Sequence, residues 1–328
     1  VAQSKHREIP CFLLAEQIMK RCLIRIVIGM IFSIPMLASS EAGFEFLKTN
    51  FGARAAAMGG AFISEGDLIA INYNPAGLYG LEQKKVVFSY LDYFVDFQGG
   101  VIEFGYPLSD HRILAGSLAY MSYGNIDETD VTGTKTGSFT PMDFSLGISY
   151  AASASYGIRY GISGKYIRSQ IQQFMSDAIC LDAGLMVRIE KQMMNIGLTI
   201  HNLGQTLTAY RDEKEKLPLV YQAGVSKSLA HLPLTLHFCL QRYHFQESEL
   251  FGGLYWSLGG EFKLSQSTFL RWGYHSVGQE QKAESDKDRF TGISAGFGTQ
   301  INRFMIDYAI SLHGVLGNTN QFTVQMML

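Results

Sequence analysis

Between Met142 and Tyr150 the chain alternates strictly between two kinds of residue: Met142, Phe144, Leu146, Ile148 and Tyr150 share one face, and Asp143, Ser145, Gly147 and Ser149 share the other. Successive strand side chains point to opposite sides, so this period of two reads as a β-strand with one apolar face. The pattern recurs along the chain. Leu181, Ala183, Leu185, Val187 and Ile189 interleave with Asp182, Gly184, Met186 and Arg188, and Phe322, Val324, Met326 and Leu328 interleave with Gln321, Thr323 and Gln325. After about residue 85 no long segment carries apolar residues at helical spacing. The second face decides what kind of sheet this is. A soluble sandwich turns its apolar face inward and usually shows charge outside, whereas here the second face is mainly Gly, Ser, Thr and Asn with isolated charges. A barrel with an apolar exterior and a small-residue polar lumen has this composition. So does a chain with 17% charged residues, 34 glycines and a mean hydropathy of only +0.06.

The connections point the same way. Short turns near Ser109-Asp110, Ala152-Ser155, Glu190-Gln192, Ala230-Pro233, Ser265-Gln266 and Gln300-Asn302 alternate with longer polar loops at Asn125 to Ser138, Gln205 to Lys216 and Val277 to Asp288. Membrane barrels have short turns at one end and long loops at the other. Strand starts fall near residues 85, 97, 112, 140, 156, 177, 193, 218, 234, 253, 267, 289, 303 and 319. The expected fold is therefore all-β, a transmembrane antiparallel barrel of about fourteen strands over residues 85–328. Tyrosines and Phe94 near the strand ends (Tyr90, Tyr93, Tyr120, Tyr123 and Tyr308 among them) suit interfacial girdles.

The start of the chain reads differently. Met19-Lys20-Arg21, an apolar run from Ile26 to Leu37 and then Ala38-Ser39-Ser40 make a secretory signal peptide over 19–40, too short in its apolar part for a spanning helix. Met19 followed by two basic residues is a natural start, and residues 1–18 are then expected to precede the translated protein. Two of the four cysteines, Cys11 and Cys22, fall in or before this leader; Cys180 and Cys239, without metal-ligand spacing, read as unpaired thiols on strands that are not neighbours. Residues 41–84 follow neither pattern. Their small residues from Ala53 to Ala61 permit close backbone approach, and Asn74-Pro75-Ala76-Gly77 forms a turn. A segment of this length with its own turns can plug a lumen that would otherwise be a channel.

The string from Gly52 to Leu78, GARAAAMGGAFISEGDLIAINYNPAGL, resembles the N-terminal signature of the outer-membrane superfamily that contains FadL-type long-chain fatty acid transporters, and is most similar to its PorV/PorQ-like and spirochaetal FadL-like branch. The matching positions include Gly52, Arg54, Met58, Gly59, Gly60, Asp67, Asn74, Pro75, Ala76 and Gly77. The resemblance is specific over 46–81 and implies that these residues form a hatch closing the barrel. It implies an outer-membrane protein, folded by the barrel assembly machinery among outer-membrane lipids, that passes hydrophobic small molecules such as long-chain fatty acids through a gated lumen. The alternative it implies is an outer-membrane component of a protein secretion system, with secretion proteins as partners and the charged loops at Arg211 to Lys216 and Gln279 to Arg289 as grips. The chain departs from outer-membrane barrels in ending on Met327-Leu328 rather than an aromatic residue.

Inward charges at Arg159, Lys165, Arg188 and Arg271 are candidate anchors for a ligand anion, each with the competing expectation that it pairs with Glu103, Asp143, Asp182, Glu261 or Asp307. Net charge of −2 gives no basic stripe for nucleic acid. The scattered histidines show no zinc-hydrolase spacing and no nucleophile elbow, so neither metal, cofactor nor enzymatic activity is expected. Gly99-Gly100 and Gly259-Gly260 read as strand glycines that allow curvature or close approach, not as phosphate loops.

Overall fold

A computed structural model of the chain describes residues 43–154, 157–210, 214–244, 253–279 and 289–328. The leader, residues 1–18 and most of the loop from Val277 to Asp288 lie outside these.

Fourteen antiparallel strands close into one barrel. In chain order they are β1 (Lys85–Asp92), β2 (Gln98–Ser109), β3 (Arg112–Ser122), β6 (Met142–Ser153), β7 (Ile158–Ile171), β8 (Phe174–Ile189), β9 (Met194–Thr208), β10 (Val220–Ser228), β11 (Leu234–Tyr243), β12 (Leu254–Lys263), β13 (Thr268–His275), β14 (Ile293–Ile301), β15 (Phe304–Leu312) and β16 (Asn318–Met327). A hairpin of β4 (Ile126–Thr129) and β5 (Lys135–Phe139) stands apart in the loop after β3. Each strand pairs with its sequence neighbours, and β1 pairs with β16 to close the ring, as in Phe88 opposite Val324. Closure leaves no unpaired edge, which is the condition for a sheet to sit in hydrocarbon. No helix among the described residues is long and apolar enough to cross a membrane.

The alternation fixes inside and outside. On β6, Leu146 and Ile148 are 50% and 65% exposed, while Ser145 and Ser149 on either side of them are 8% and 1% exposed. Phe88, Phe104, Leu118, Trp256, Trp272, Phe297 and Phe322 lie on the same exterior. An uncovered apolar belt of this kind is unfavourable in water and matched to lipid. The inner face carries Ser89, Glu103, Asp182, Thr199, His237, Arg271, Asp307, Thr323 and Gln325, all buried although the lumen is polar. Something must therefore fill it.

All six short turns expected from the sequence lie at one end. The opposite end is less regular than the sequence suggested, because β7 and β8 meet there in a two-residue turn, Gln172-Gln173. The reason is strand length: β7, β8 and β9 run 14, 16 and 15 residues, against 8 to 10 for β10 through β15, so sheet continues where loop was expected. Two of the proposed girdle residues also behave differently. Tyr93 and Tyr123, just past the ends of β1 and β3, turn into the barrel mouth instead of toward lipid.

Candidate functional site

The filling is the N-terminal segment from Gly43 to Lys84. Its first stretch places Phe44, Phe46 and Phe51 against Leu91, Val101, Met121 and Ile167 on the loop side of the barrel. A single short helix, α1 (Ala53–Ala57), then packs on β13 through β16. Five residues leave most helix-end groups without intrahelical partners. Barrel side chains supply them: Thr323 Oγ1 accepts from the Ala53 amide at 2.9 Å, and the Ser294 hydroxyl donates to the Ala57 carbonyl at 3.0 Å. The chain continues through two 3-10 turns, Leu68–Asn72 and Pro75–Gly80. The side chains of Asp67 and Asn74 cap them by accepting from Leu68 N and Ala76 N, and Pro75 sits at the first position, where its missing amide hydrogen costs nothing.

The barrel receives this segment on glycine. A Cβ added at Gly273 would meet Gly59 N and the Met58 backbone. One at Gly259 would meet Met58, at Gly197 the Ile63 carbonyl, at Gly161 the Pro75 carbonyl and at Gly184 the Asn74 side chain. These glycines face inward on β13, β12, β9, β7 and β8, so they form a socket around the segment's contour. Gly59 answers in kind: its φ of +64° and a Cβ position 2.8 Å from the Tyr274 carbonyl both require glycine. Met58 and Leu78 are fully buried, each burial contributing roughly 1.5–3 kcal/mol.

Arg54 organises the charge. Its guanidinium donates to both oxygens of Glu261, at 2.8 and 2.9 Å, and reaches Glu65 at 3.2 Å and Asp67 at 3.6 Å. Arg271 shares Glu261 at 2.6 Å and holds Asp307 at 2.6 Å, and Lys85 holds Asp67 at 2.7 Å. Burial opposes charge on Arg54, but the three carboxylates outweigh it and push its pKa further up. Burial likewise opposes charge on Asp67, and Lys85 with Arg54 overcomes it, holding that carboxyl below the usual aspartate range.

Residues 72–74 form a crossbar. Asn72 donates to Glu103 on β2 at 2.5 Å, the Tyr73 carbonyl lies 2.7 Å from His201 Nε2 on β9, and Asn74 donates to the carbonyls of Ile63 at 2.8 Å and Leu185 on β8 at 3.3 Å. On the loop side of this bar lies a cavity of about 460 Å³. Rings line it (Phe46, Tyr73, Tyr93, Phe97, Tyr123, Tyr243 and Tyr255), and Lys165, His201, Gln222, Gln241 and His275 are among its many polar groups. On the turn side a smaller space of about 230 Å³ is bounded by Arg54, Asp67, Lys85, Glu261 and Arg271.

Of the four candidate anion anchors, Lys165 alone faces the larger cavity, and it pairs with Asp182 at 2.5 Å. Arg271 is consumed by Glu261 and Asp307. Arg159 stacks 4.8 Å from the Tyr79 ring, and Arg188 lies at the turn end, pairing with Glu190 at 2.7 Å. Glu103 binds Asn72, and Asp143 accepts from Tyr123 and Ser169. Sequence reasoning placed Tyr93 and Tyr123 in the girdles and gave no site role to His201 or to the inward glycines as a set; His201 and its partner Tyr73 are 128 positions apart. Cys180 and Cys239 are buried and free, on β8 and β11. No cluster able to hold a metal occurs among the described residues.

No protein-family model matches the chain, and no curated protein matches it. Solved structures do. The CymD monoaromatic hydrocarbon channel superposes with a TM-score of 0.59 at 10% identity, over 85% of this chain and 98% of that one. The toluene transporter TodX of Pseudomonas putida gives 0.55 at 11% identity, over 89% and 98%. At these identities the likeness is one of fold, and over nearly the whole of both relatives: this chain has the closed fourteen-strand barrel of TodX and CymD.

Proposed function

We propose that this protein is an outer-membrane transporter for hydrophobic small molecules, long-chain fatty acids foremost, with residues 43–84 acting as a hatch. The observation that carries the reading is the ring-lined cavity lying directly on the crossbar. Its volume falls in the ~300–1,000 Å³ range of small-molecule sites, and its rings set apolar surface beside many polar groups. The hatch below it rests on glycine contacts and ion pairs, both of which can be broken without disturbing the ladder hydrogen bonds of the barrel. TodX and CymD, which share the fold, are described as a toluene transporter and a monoaromatic hydrocarbon channel, and the signature at Gly52 to Leu78 adds the fatty acid expectation.

Lys165 is the anchor best placed for a ligand carboxylate, since it reaches the cavity while its partner Asp182 is fully buried behind it. Native mass spectrometry with lipid extraction, on protein gently solubilised from its own membrane, tests the proposal. Co-purifying single-chain amphiphiles or other hydrophobic molecules, lost on deleting residues 53–78, support it. A ligand-free barrel carrying a stoichiometric protein partner contradicts it and favours the secretion-associated role.

A further inference from the structure

The turn end of the barrel carries charge mainly of one sign. Among the described residues, seven lysines and arginines are exposed there against three carboxylates, Glu82, Asp110 and Glu190. One of the seven, Arg188, pairs with Glu190 at 2.7 Å. The other six, Lys84, Arg112, Lys191, Lys227, Lys263 and Arg303, make no ion pair with a described residue. Lys84 precedes β1, Arg112 opens β3, Lys191 lies in the turn after β8, Lys227 and Lys263 fall at the ends of β10 and β12, and Arg303 precedes β15. The strand order spreads them around the whole circumference. The loop end differs, with Asp92, Asp96, Asp127, Glu128 and Asp130 exposed there.

Two of these cations sit on the lipid boundary itself. Lys84 Nζ lies 4.8 Å from the centre of the Tyr106 ring, and the Arg303 guanidinium lies 5.5 Å from that of Phe304. Both rings are exposed on the apolar exterior. A cation over a ring face is attracted to it, and its stem covers apolar surface while the charged head reaches the polar layer. The Leu328 amide donates to the Lys84 carbonyl at 2.9 Å, and the Met327 amide to the Arg303 carbonyl at 3.0 Å. Lys84 and Arg303 therefore flank the end of β16, two strand spacings or roughly 10 Å apart. Two long side chains at that separation can converge on one phosphate. Phe88, Phe104 and Phe322, exposed on the same strands, supply apolar surface for acyl chains.

We propose that the turn-end rim binds the phosphate headgroups of anionic phospholipids, with Lys84 and Arg303 at its centre. In outer-membrane barrels the short turns face the periplasmic leaflet. A soluble phosphate matches the cations but not the apolar belt, and a neutral lipid matches the belt but not the cations. An anionic phospholipid matches both. The inference takes from the proposed function only its membrane setting, and neither the hatch nor the cargo.

Lipid retention tests this. The full barrel is folded into vesicles of equal parts phosphatidylglycerol and phosphatidylcholine with the same acyl chains, then released in mild detergent, and the lipids still bound are counted by native mass spectrometry. The wild type is expected to retain phosphatidylglycerol over phosphatidylcholine by about 25-fold, roughly fivefold for each of the two central cations. Lys84→Gln combined with Arg303→Gln lowers that ratio by about tenfold or more. Lys135→Gln combined with Arg168→Gln, which removes the same charge from the loop end, leaves it unchanged. Salt at about 1 M, where screening acts within about 3 Å, erases the wild-type preference. Equal retention of the two lipids by the wild type overturns the inference. So does a preference that survives high salt, one kept by the turn-end variant, or one lost equally in both variants. The measurement reads lipid and not cargo, so a barrel that carries no hydrophobic ligand removes the transport reading and not this one.

Discussion

Arg54 and Glu261, 207 positions apart in the chain, meet through two nearly parallel hydrogen bonds of 2.8 and 2.9 Å. One comes from the N-terminal segment inside the barrel and the other from β12, so this pair is an electrostatic tie between that segment and the wall, the proposed hatch and its frame. Its geometry is the fork-to-carboxylate match that only arginine supplies.

Removing that tie separates hatch docking from barrel folding. Arg54→Ala leaves Glu261, Glu65 and Asp67 short of a buried cation, and breaking such a pair from one side costs about 3–5 kcal/mol. The expected result is a barrel that still shows a heat-modifiable gel shift but whose residues 53–78 are cut readily by protease. Arg54→Lys, which keeps charge but loses the fork, falls between the two. A protease-resistant Arg54→Ala hatch would contradict this role.

The glycine socket makes a positional prediction. Gly273→Val drives side-chain atoms into Gly59 and Met58 and is expected to expel the hatch. Gly116→Ala, on the outer face with nothing closer than 3.8 Å, is expected to be silent. Limited proteolysis of both variants, folded into the same liposomes, checks the pair.

Exterior and interior positions respond oppositely to charge. Leu146→Lys, on the exposed apolar face of β6, is expected to destabilise the barrel by about 2–4 kcal/mol if it lies near the membrane midplane. Gln222→Lys, facing the lumen cavity from β10 beside Gln241, is expected to cost less, because its ammonium stays among polar groups rather than hydrocarbon. Reversible urea unfolding from phospholipid vesicles measures both.

Acid acts on Asp67. Its carboxyl titrates lower in the folded protein than the ordinary 3.8, through Lys85 and Arg54. A group with a depressed folded pKa contributes stability that is complete above its unfolded value and is lost as pH falls through the folded one. Hatch protection owed to Asp67 is thus constant from neutrality to about pH 5 and fades below about pH 4. Asp67→Asn should lower protection at neutral pH and flatten the acid response. Protection in the wild type that fell steeply between pH 7 and pH 5 would place the acid-sensitive group elsewhere.

Much of the barrel was legible in the sequence because its physics is local. Alternation on β6 and β16 assigns each residue a face without reference to any other strand, and the six short turns mark the strand ends by composition. Residues 43–84 were legible as a departure from that pattern. What was not legible depends on pairing across the lumen. Nothing near Glu261 in the sequence points to Arg54, and nothing near His201 points to Tyr73. The four cationic candidates shared a parity, but parity does not give depth: Lys165 reaches the larger cavity while Arg188, equally inward by alternation, sits at the barrel's turn end. Tyr93 and Tyr123 were misplaced for a related reason, since past the last ladder bond alternation no longer constrains direction.

The most direct test of the account is uptake of a long-chain fatty acid into liposomes by the wild-type barrel and by one lacking residues 53–78, with folding of both verified by heat-modifiability. The account predicts that the deletion changes uptake while the barrel stays folded. Unchanged uptake by a folded deletion barrel would contradict a gating hatch.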